Sequence, residues 1–368
     1  MNIVVTGANG FIGKNLLVTL SEIGFTSITT ITLEDTKDDI LAKVESADFI
    51  YHLAGINRPK HEDEFKSGNA DLTALIVNHL IKLDKKTPLV LTSSIQAELD
   101  NPYGVSKAVA ENILNSYRDV TGATIYIYRL PNVFGKWCKP NYNSAIATFC
   151  YNTINNLPIT INNAEAELRL VYIDDVCKQF VRLLDDSIVD TNNCEISPVY
   201  KTTVGDVAEL LSQFRESRSN LVTEKVGTDF VRALYSTYLS YLDPEQFAYS
   251  VTRHSDERGT FVEMLKTKDS GQFSFFTAHP GITRGGHYHH SKTEKFLVIK
   301  GKALFKFQNI ITDERYELAI NGEESKIVET APGWSHDVTN IGDDELIVML
   351  WANEIFDRNN PDTFAKPL

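Results

Sequence analysis

Hydrophobic and polar positions change their period about two thirds of the way along this chain. Asn2 to Thr6 is a short apolar run that ends in a glycine cluster. Phe11, Ile12, Leu16, Leu20 and Ile23 then recur at helical spacing and predict a helix over 11–23. Ile28 to Leu33 reads as a β-branched strand, and Phe49 to Leu53 as another that stops at Ala54-Gly55. A helix is expected from about Asp63 to Leu83, a buried strand at Leu89–Thr92, a helix at Tyr103–Thr121 and a strand at Thr124–Leu130. Such alternation predicts an α/β unit with a parallel sheet and helices on both faces. Ligands bind such sheets outside the carboxyl ends of the strands.

Beyond about residue 246 short strands take over: Thr260–Leu265, Gln272–Thr277, Glu294–Ile299, Ala303–Phe307, Lys326–Glu329 and Leu346–Trp351. Turn residues separate them, among them Gly285-Gly286, Asn321-Gly322 and Pro332-Gly333. Many short strands with little helix signal predict an all-β sandwich or barrel. A boundary at Asp243-Pro244, after a helix at Phe230–Leu242, gives domains 1–245 and 246–368. A length of 368 residues fits two domains.

Composition narrows the classes. Thirty-six Lys and Arg against 49 Asp and Glu leave a formal charge of −13, the wrong sign for a protein that coats nucleic acid. The 42% hydrophobic and 10% aromatic content is too high for a disordered chain. Leu346–Ala352, the strongest apolar run, is strand-length and far short of a membrane span. The chain opens directly into Ile3-Val4-Val5, so no secretory signal is expected and a cytoplasmic location is. Cys138, Cys150, Cys177 and Cys194 lack CxxC spacing and read as small hydrophobes.

Two patterns in the first part carry chemistry. In Thr6-Gly7-Ala8-Asn9-Gly10-Phe11-Ile12-Gly13, glycines follow the first strand and open a helix. Gly7 permits the tight turn, Gly10 admits a pyrophosphate to the backbone, and Gly13 lets helix and sheet close up. Tyr103 and Lys107 stand four apart on a helix, on one face. A cation beside a phenol stabilises the phenolate, so the Tyr103 pKa is expected to fall. The phenol can then exchange a proton at a carbonyl or alcohol carbon. Ser93 and Ser94 end the preceding strand, where a hydroxyl can polarise the same oxygen.

These motifs, with His52-Leu53-Ala54-Gly55, Asn69, Arg129-Leu130-Pro131-Asn132-Val133-Phe134-Gly135 and Arg169-Leu170-Val171-Tyr172-Ile173-Asp174-Asp175-Val176, give the chain its likeness. Residues 1–245 resemble an extended short-chain dehydrogenase/reductase acting on nucleotide sugars, a Rossmann-type fold. The resemblance implies Tyr103 as acid/base, and Lys107 as the residue that lowers its pKa and anchors the nicotinamide ribose. It implies Ser94 as the group orienting the substrate oxygen, with Ser93 as the competing choice. Gly7, Asn9, Gly10, Phe11, Ile12, Gly13, Leu53, Ala54, Tyr103 and Lys107 would line the cofactor, and Asn132 and Arg169 would hold the sugar nucleotide. Cofactor choice stays open on the residues themselves. Glu34-Asp35 after the second strand suits the ribose 2′-OH of NAD, while Lys37 is close enough to meet a 2′-phosphate.

The second part carries His287, His289, His290, Glu294 and His336. Alternation in a strand would put His287 and His289 on one face, with Glu294 returning after a turn. Three imidazoles and a carboxylate suit Zn²⁺ or a similar ion and leave a position open for substrate or water. Gly281, His287, His289, Glu294 and Gly301, then Pro332, Gly333, His336 and Asn340, resemble the two cupin motifs, except that Pro332 and Gly333 are adjacent. His290 is an alternate ligand. A rival likeness, through His254-x-Asp256-x-Arg258-Gly259-x-Phe261-x-Glu263 and Arg284-Gly285-x-His287-Tyr288, is to metal-free cupin epimerases of keto-deoxysugar nucleotides. There a histidine such as His287 is the base, and an arginine such as Arg284 meets phosphate.

Over nearly its whole length the chain resembles bacterial capsular-polysaccharide enzymes that fuse these two domains. That resemblance implies a UDP-2-acetamido-2,6-dideoxy-4-hexulose substrate, C3 epimerisation in the cupin and NADPH-dependent C4 reduction in the first domain. The product would be UDP-2-acetamido-2,6-dideoxy-L-talose, the precursor of UDP-N-acetyl-L-fucosamine. Zinc and a homodimer are implied as well. The alternatives are an NAD-dependent nucleotide-sugar 4-epimerase or dehydratase with a structural cupin, and a non-enzymatic sugar-nucleotide-binding module.

Overall fold

The computed structural model describes residues 1–185, 194–256, 259–262, 265–267, 271–354 and 359–368, with backbone alone at 253–256, 259–262, 266, 272 and 274. Arg258 and Glu263 therefore lie outside the described residues, and the side chains of His254, Asp256 and Phe261 are not described. Two compact units emerge: residues 1–144 with 168–201, and residues 145–167 with 202–368.

The first unit follows the predicted alternation. Its elements run β1 (Ile3–Thr6), α1 (Phe11–Glu22), β2 (Ile28–Ile31), α2 (Lys37–Glu45), β3 (Phe49–His52), α3 (Asp63–Phe65), α4 (Leu72–Lys82), β4 (Leu89–Ser94), α5 (Pro102–Thr121) and β5 (Ile125–Leu130). The five strands form a parallel sheet in the order β2-β1-β3-β4-β5. The order reverses between β1 and β3, which opens a crevice at their carboxyl ends. Val4, Ile50, Leu89 and Leu91 are buried against Ile76, Val77, Leu80, Leu114 and Tyr117. The helix expected over 63–83 is interrupted by a π-helical turn at Lys66–Asp71, between α3 and α4. Local signals fix α5: Asn101 accepts from the Gly104 N–H at 2.8 Å, Pro102 opens the helix, and Gly122 closes it in the left-handed region.

Four further elements follow: β6 (Asn132–Phe134), α6 (Ala145–Ile154), β7 (Glu167–Tyr172) and α7 (Ile173–Arg182). β6 pairs in parallel with β7, Asn132 opposite Leu170. After β8 (Tyr200–Thr203) come α8 (Val204–Asn220), β9 (Val222–Thr223) and α9 (Asp229–Leu239).

The second unit holds a pair of antiparallel five-stranded sheets. The strands of this region are β10 (Ala248–Ser250), β11 (Arg253–Asp256), β12 (Gly259–Val262), β13 (Lys266–Thr267), β14 (Gln272–Ala278), β15 (Thr283–Tyr288) and β16 (Glu294–Lys300), of which β11 and β12 pair with each other and β13 with β9, outside the two large sheets. They continue with β17 (Lys302–Asn309), β18 (Arg315–Asn321), β19 (Lys326–Glu329), β20 (Trp334–Asn340), β21 (Leu346–Ala352) and β22 (Phe364–Ala365). One sheet has the order β10-β19-β16-β21-β14, the other β18-β17-β20-β15-β22. The change of texture near residue 245 is not where the compact units divide. α6, α8 and α9 pack on one another, and Arg218 of α8 bonds the buried Glu329 of β19. Segments 145–167 and 202–245 therefore group with the strands.

Glu329 is the centre of that tie. Lys295 Nζ lies 2.6 Å from one of its oxygens, Arg218 grips the other, and Lys295 also donates to Tyr249 Oη at 2.9 Å. Burial would raise the Glu329 pKa, but Lys295 and Arg218 outweigh it and hold the carboxyl at about 2. Cys138, Cys150 and Cys177 are buried, and no disulfide is present among the described residues. No described helix is long and apolar enough to cross a membrane.

Glu329→Gln leaves Lys295 buried without its anion, so urea unfolding should show a loss of about 3–5 kcal/mol. With the folded pKa depressed, the wild-type contribution is present above the unfolded carboxylate pKa of about 4.3. It disappears as pH falls through about 2. The pair of changes Lys295→Met and Glu329→Leu removes both charges and should be far milder than Glu329→Gln alone.

Candidate functional site

At the carboxyl ends of β1 and β3 the backbone is crowded. Gly7 has φ +65, and a Cβ there would sit 2.7 Å from the Ala54 nitrogen. A Cβ on Gly13 would meet the Gly7 carbonyl oxygen at 2.3 Å. The Gly10 N–H donates to the Gly7 carbonyl at 2.8 Å, and Gly10 starts α1 with no side-chain cap. The first turn of α1 thus keeps its N–H groups for a ligand, with Asn9 exposed beside it and Phe11 and Ile12 half-buried. Leu53 and Ala54 form the opposite wall. This cradle fits the pyrophosphate of a dinucleotide.

A chain of hydrogen bonds fixes that wall. Thr73 Oγ1 donates to the Asn69 carbonyl at 2.7 Å, so His52 Nε2–H must donate to Thr73, at 2.9 Å. His52 Nδ1 then accepts from Thr6 Oγ1 at 2.8 Å, and Thr6 accepts from the Ala54 N–H at 3.0 Å. Burial, reinforced by Lys107, pushes His52 down to about 3. His52 is a neutral tether between strands.

Lys107 is buried, and its Nζ donates to the Thr92 carbonyl at 3.0 Å. Burial lowers its pKa to about 8, against the pull of Glu111. Its Nζ lies 5.9 Å from the Tyr103 ring centroid. The expected fall of the Tyr103 pKa is reversed here. Burial raises it, partly offset by a hydrogen bond with Ser94, because desolvating the phenolate costs more than these neighbours return. The two serines divide. Ser93 Oγ donates to buried Glu111 at 2.5 Å, and Arg129 clasps the same carboxylate at 2.7 Å. Ser94 is the hydroxyl beside Tyr103. Phe65, which the sequence reading overlooked, packs on Tyr103 at 5.7 Å between centroids. Asn69 holds Ile56 through both its N–H and carbonyl and donates to Ser106 Oγ at 2.9 Å.

Asn132 and Arg169 are exposed on adjacent strands, one register step apart. At the end of β2, Asp35 is engaged internally: it accepts from the Thr32 N–H at 2.8 Å and pairs with Lys43. Glu34 and Lys37 are exposed.

In the second unit His287, His289, Glu294 and His336 offer ligand atoms that all lie within 4.8 Å of one another. Strand β15 bulges after Gly285 and ends at Tyr288, so His289 reaches the cluster from the following turn rather than by strand alternation. His290 does not join it; its ring packs on Tyr288 and Phe364, at 5.7 and 5.0 Å. The Asp362 carbonyl can only accept, so the His289 Nδ1 2.5 Å away carries a proton. His289 Nε2 lies 3.2 Å from Glu294 Oε2. His336 Nε2 lies 3.1 Å from the same oxygen. Burial, helped by the neighbouring imidazoles, lowers His287 to about 4, and burial lowers His336 too despite Glu294. Burial would raise Glu294, but His289 and His336 carry it well below the usual carboxylate range. Three imidazoles and an ionised carboxylate with converging ligand atoms fit a divalent cation. Arg284 lies three residues before His287, stacked over Phe276 at 5.3 Å and donating to the Thr277 carbonyl. Lys292, 2.8 Å from Glu294 Oε1, and Asp362 belong to this site and carried no motif signal.

Comparison with known proteins gives two family matches: NAD dependent epimerase/dehydratase family over residues 3–194, and polysaccharide biosynthesis C-terminal domain over 254–364. The chain is 56% identical over 365 residues to a Pseudomonas aeruginosa UDP-2-acetamido-2,6-beta-L-arabino-hexul-4-ose reductase, covering 99% of this chain and 98% of that one. The crystal structure of the capsular polysaccharide assembling protein CapF from Staphylococcus aureus matches over 100% of both chains, at 40% identity and TM-score 0.69. A Bacillus cereus UDP-glucuronic acid 4-epimerase in complex with NAD matches 58% of this chain and 83% of its own, at 20% identity and TM-score 0.50, a likeness of fold.

Gly13→Ala places a methyl against backbone that cannot yield. Fluorescence titration should show binding of a reduced nicotinamide dinucleotide weakened about ten- to a hundredfold.

Proposed function

This chain belongs to the NAD dependent epimerase/dehydratase family and ends in a polysaccharide biosynthesis C-terminal domain, and from that premise we propose a bifunctional nucleotide-sugar enzyme. In this reading the cupin barrel epimerises C3 of a UDP-2-acetamido-2,6-dideoxy-4-hexulose. The first unit then reduces the C4 ketone with NADPH to UDP-2-acetamido-2,6-dideoxy-L-talose. The observation that carries it is the Ser94–Tyr103–Lys107 group, in a chain 56% identical to a reductase of such a ketose.

The Gly7–Gly13 cradle would hold the pyrophosphate of a reduced nicotinamide dinucleotide, which would supply the hydride. Ser94 orients the C4 oxygen and Tyr103 donates its phenolic proton to it. The raised Tyr103 pKa keeps that proton in place until the oxygen becomes basic. Lys107, charged below about pH 8, steadies the phenolate left behind. Asn132 and Arg169 hold the sugar nucleotide. The choice of NADPH is supported by Asp35, whose carboxylate is spent on Thr32 and Lys43 rather than left for a ribose 2′-OH.

In the barrel, His289, Glu294 and His336, with His287, would hold Zn²⁺, which would supply Lewis acidity to polarise the C4 oxygen and acidify the C3 hydrogen. His287, the half-buried member, would remove the C3 proton when it is not serving as a ligand, and a proton from solvent would be delivered to the opposite face of the enediolate to invert the carbon. Arg284 takes the diphosphate. The homodimer and cytoplasmic location implied by the resemblance belong to the same proposal.

Tyr103→Phe should lower NADPH oxidation with the ketose about 10²- to 10⁴-fold, while solvent deuterium still enters C3. His287→Ala should abolish the exchange and spare reduction of the C3-epimerised ketose. Metal analysis of that variant separates ligand from base. If neither exchange nor NADPH oxidation occurs in wild type, the proposal fails. In the reductive direction kcat/KM should fall as pH rises through about 8, where Lys107 loses its proton. Lys107→Arg, charged throughout, should remove that break from whatever activity it retains. A wild-type profile flat to pH 10 would contradict the role given to Lys107.

A further inference from the structure

The described C-terminal segment, residues 359–368, runs along the strand that carries His287. β22 pairs antiparallel with β15, Ala365 opposite His287 and Phe364 opposite Tyr288. The Lys366 N–H donates to the Gly286 carbonyl at 2.8 Å, and Ser335 Oγ donates to the Lys366 carbonyl at 2.5 Å. A Cβ on Gly286 would lie 3.4 Å from Pro367.

Asp362 is the working residue of this strap. Residues 289–292 form the turn between β15 and β16, where amides lack ladder partners. The Asp362 carboxylate takes three of those amides: His290 at 2.8 Å, Ser291 at 2.6 Å and Lys292 at 2.7 Å. It also accepts from Ser291 Oγ at 2.9 Å. Arg232 of α9 adds a donor to Ser291 Oγ at 2.6 Å, pairs with Glu354 and lies 3.7 Å from Asp362. The Asp362 main chain acts separately, as the acceptor for His289 Nδ1.

Both contacts lead to the cluster. With Nδ1 protonated, His289 presents Nε2 as its ligand atom. With the Lys292 amide fixed, its ammonium sits on Glu294 Oε1, leaving Oε2 to face the imidazoles. We infer that Asp362 is a positioning residue of the metal centre, and that the C-terminal strap is a built part of that site, setting the ligand atom of His289 and the free oxygen of Glu294. This rests on the metal-holding reading of the barrel.

The test uses the full-length chain. Zn²⁺ affinity is measured by chelator competition, and the visible spectrum of the Co²⁺-loaded protein reports ligand geometry. Asp362→Ala should bind Zn²⁺ about 10- to 100-fold more weakly, with a shifted Co²⁺ spectrum and unchanged NADPH binding. Asp362→Asn, which keeps an acceptor, should recover part of the loss. Affinity and spectrum equal to wild type in Asp362→Ala would overturn this inference alone. A wild-type protein that holds no divalent ion would overturn both it and the metal reading. ¹⁵N NMR of histidine-labelled wild type needs no variant: His289 should show a protonated Nδ1 and a metal-bound Nε2. A metal-bound Nδ1 would overturn the inference.

Discussion

Keeping an ammonium in a nearly waterless place shapes the first unit. Lys107 is desolvated enough to bring its pKa to about 8, and the residues around it are arranged to leave it charged near neutrality. The Thr92 carbonyl accepts from it, and Gly55 makes room, since a Cβ there would lie 2.9 Å from Nζ. His52 answers the same constraint with the opposite sign. Its ring stays neutral beside that cation and serves only as a hydrogen-bonding tether. The tether in turn fixes Ala54, whose backbone packs against Gly7. The cofactor cradle and the Tyr103 group are therefore one mechanical object, joined through β1, β3 and the π-helical turn.

The second unit solves the complementary problem. Several ligand atoms converge on one point, where a shared cation would relieve their repulsion. His289 and His336 both meet Glu294 Oε2, and Lys292 supplies positive charge to the other oxygen. Deeper in the same unit, Lys295 and Arg218 do for Glu329 what a metal would do for Glu294. The difference lies in the donors. Ammonium and guanidinium satisfy a carboxylate permanently, whereas imidazole lone pairs leave a demand that an exchangeable ion can meet.

Much of this was legible in the sequence, because the relevant signals are local. The glycine fingerprint, the spacing of Tyr103 and Lys107, and the HxH-to-Glu294 interval each fit within a turn or two of chain. What was not legible depends on burial or on distant chain. The Tyr103 shift has the opposite sign because neighbour identity can be read from spacing, but desolvation cannot. His290 stands apart, as a position one step off the alternation should, but His289 reaches the cluster from a turn because β15 ends at Tyr288, which no alternation rule foretells. Ser93 is withdrawn by Glu111, eighteen residues away. Asp362 lies 73 residues from the histidine it orients, in a tail without periodicity. The grouping of α8 with the strands includes an ion pair that spans 111 residues.

The sign of the Tyr103 shift also bears on the direction of chemistry. An enzyme that begins by oxidising an alcohol needs a base, and a phenol with a depressed pKa serves that need. An enzyme that begins with a ketone and a hydride needs an acid, and its phenol should hold the proton until charge builds on the substrate oxygen. Burial of Tyr103, only partly offset by the bond to Ser94, leaves the acid form favoured. Lys107, cationic at neutral pH, then lowers the cost of the phenolate only after the proton has moved. A phenol that keeps its proton at rest is compatible with the proposed reduction, where the acid form is the one that meets the ketone.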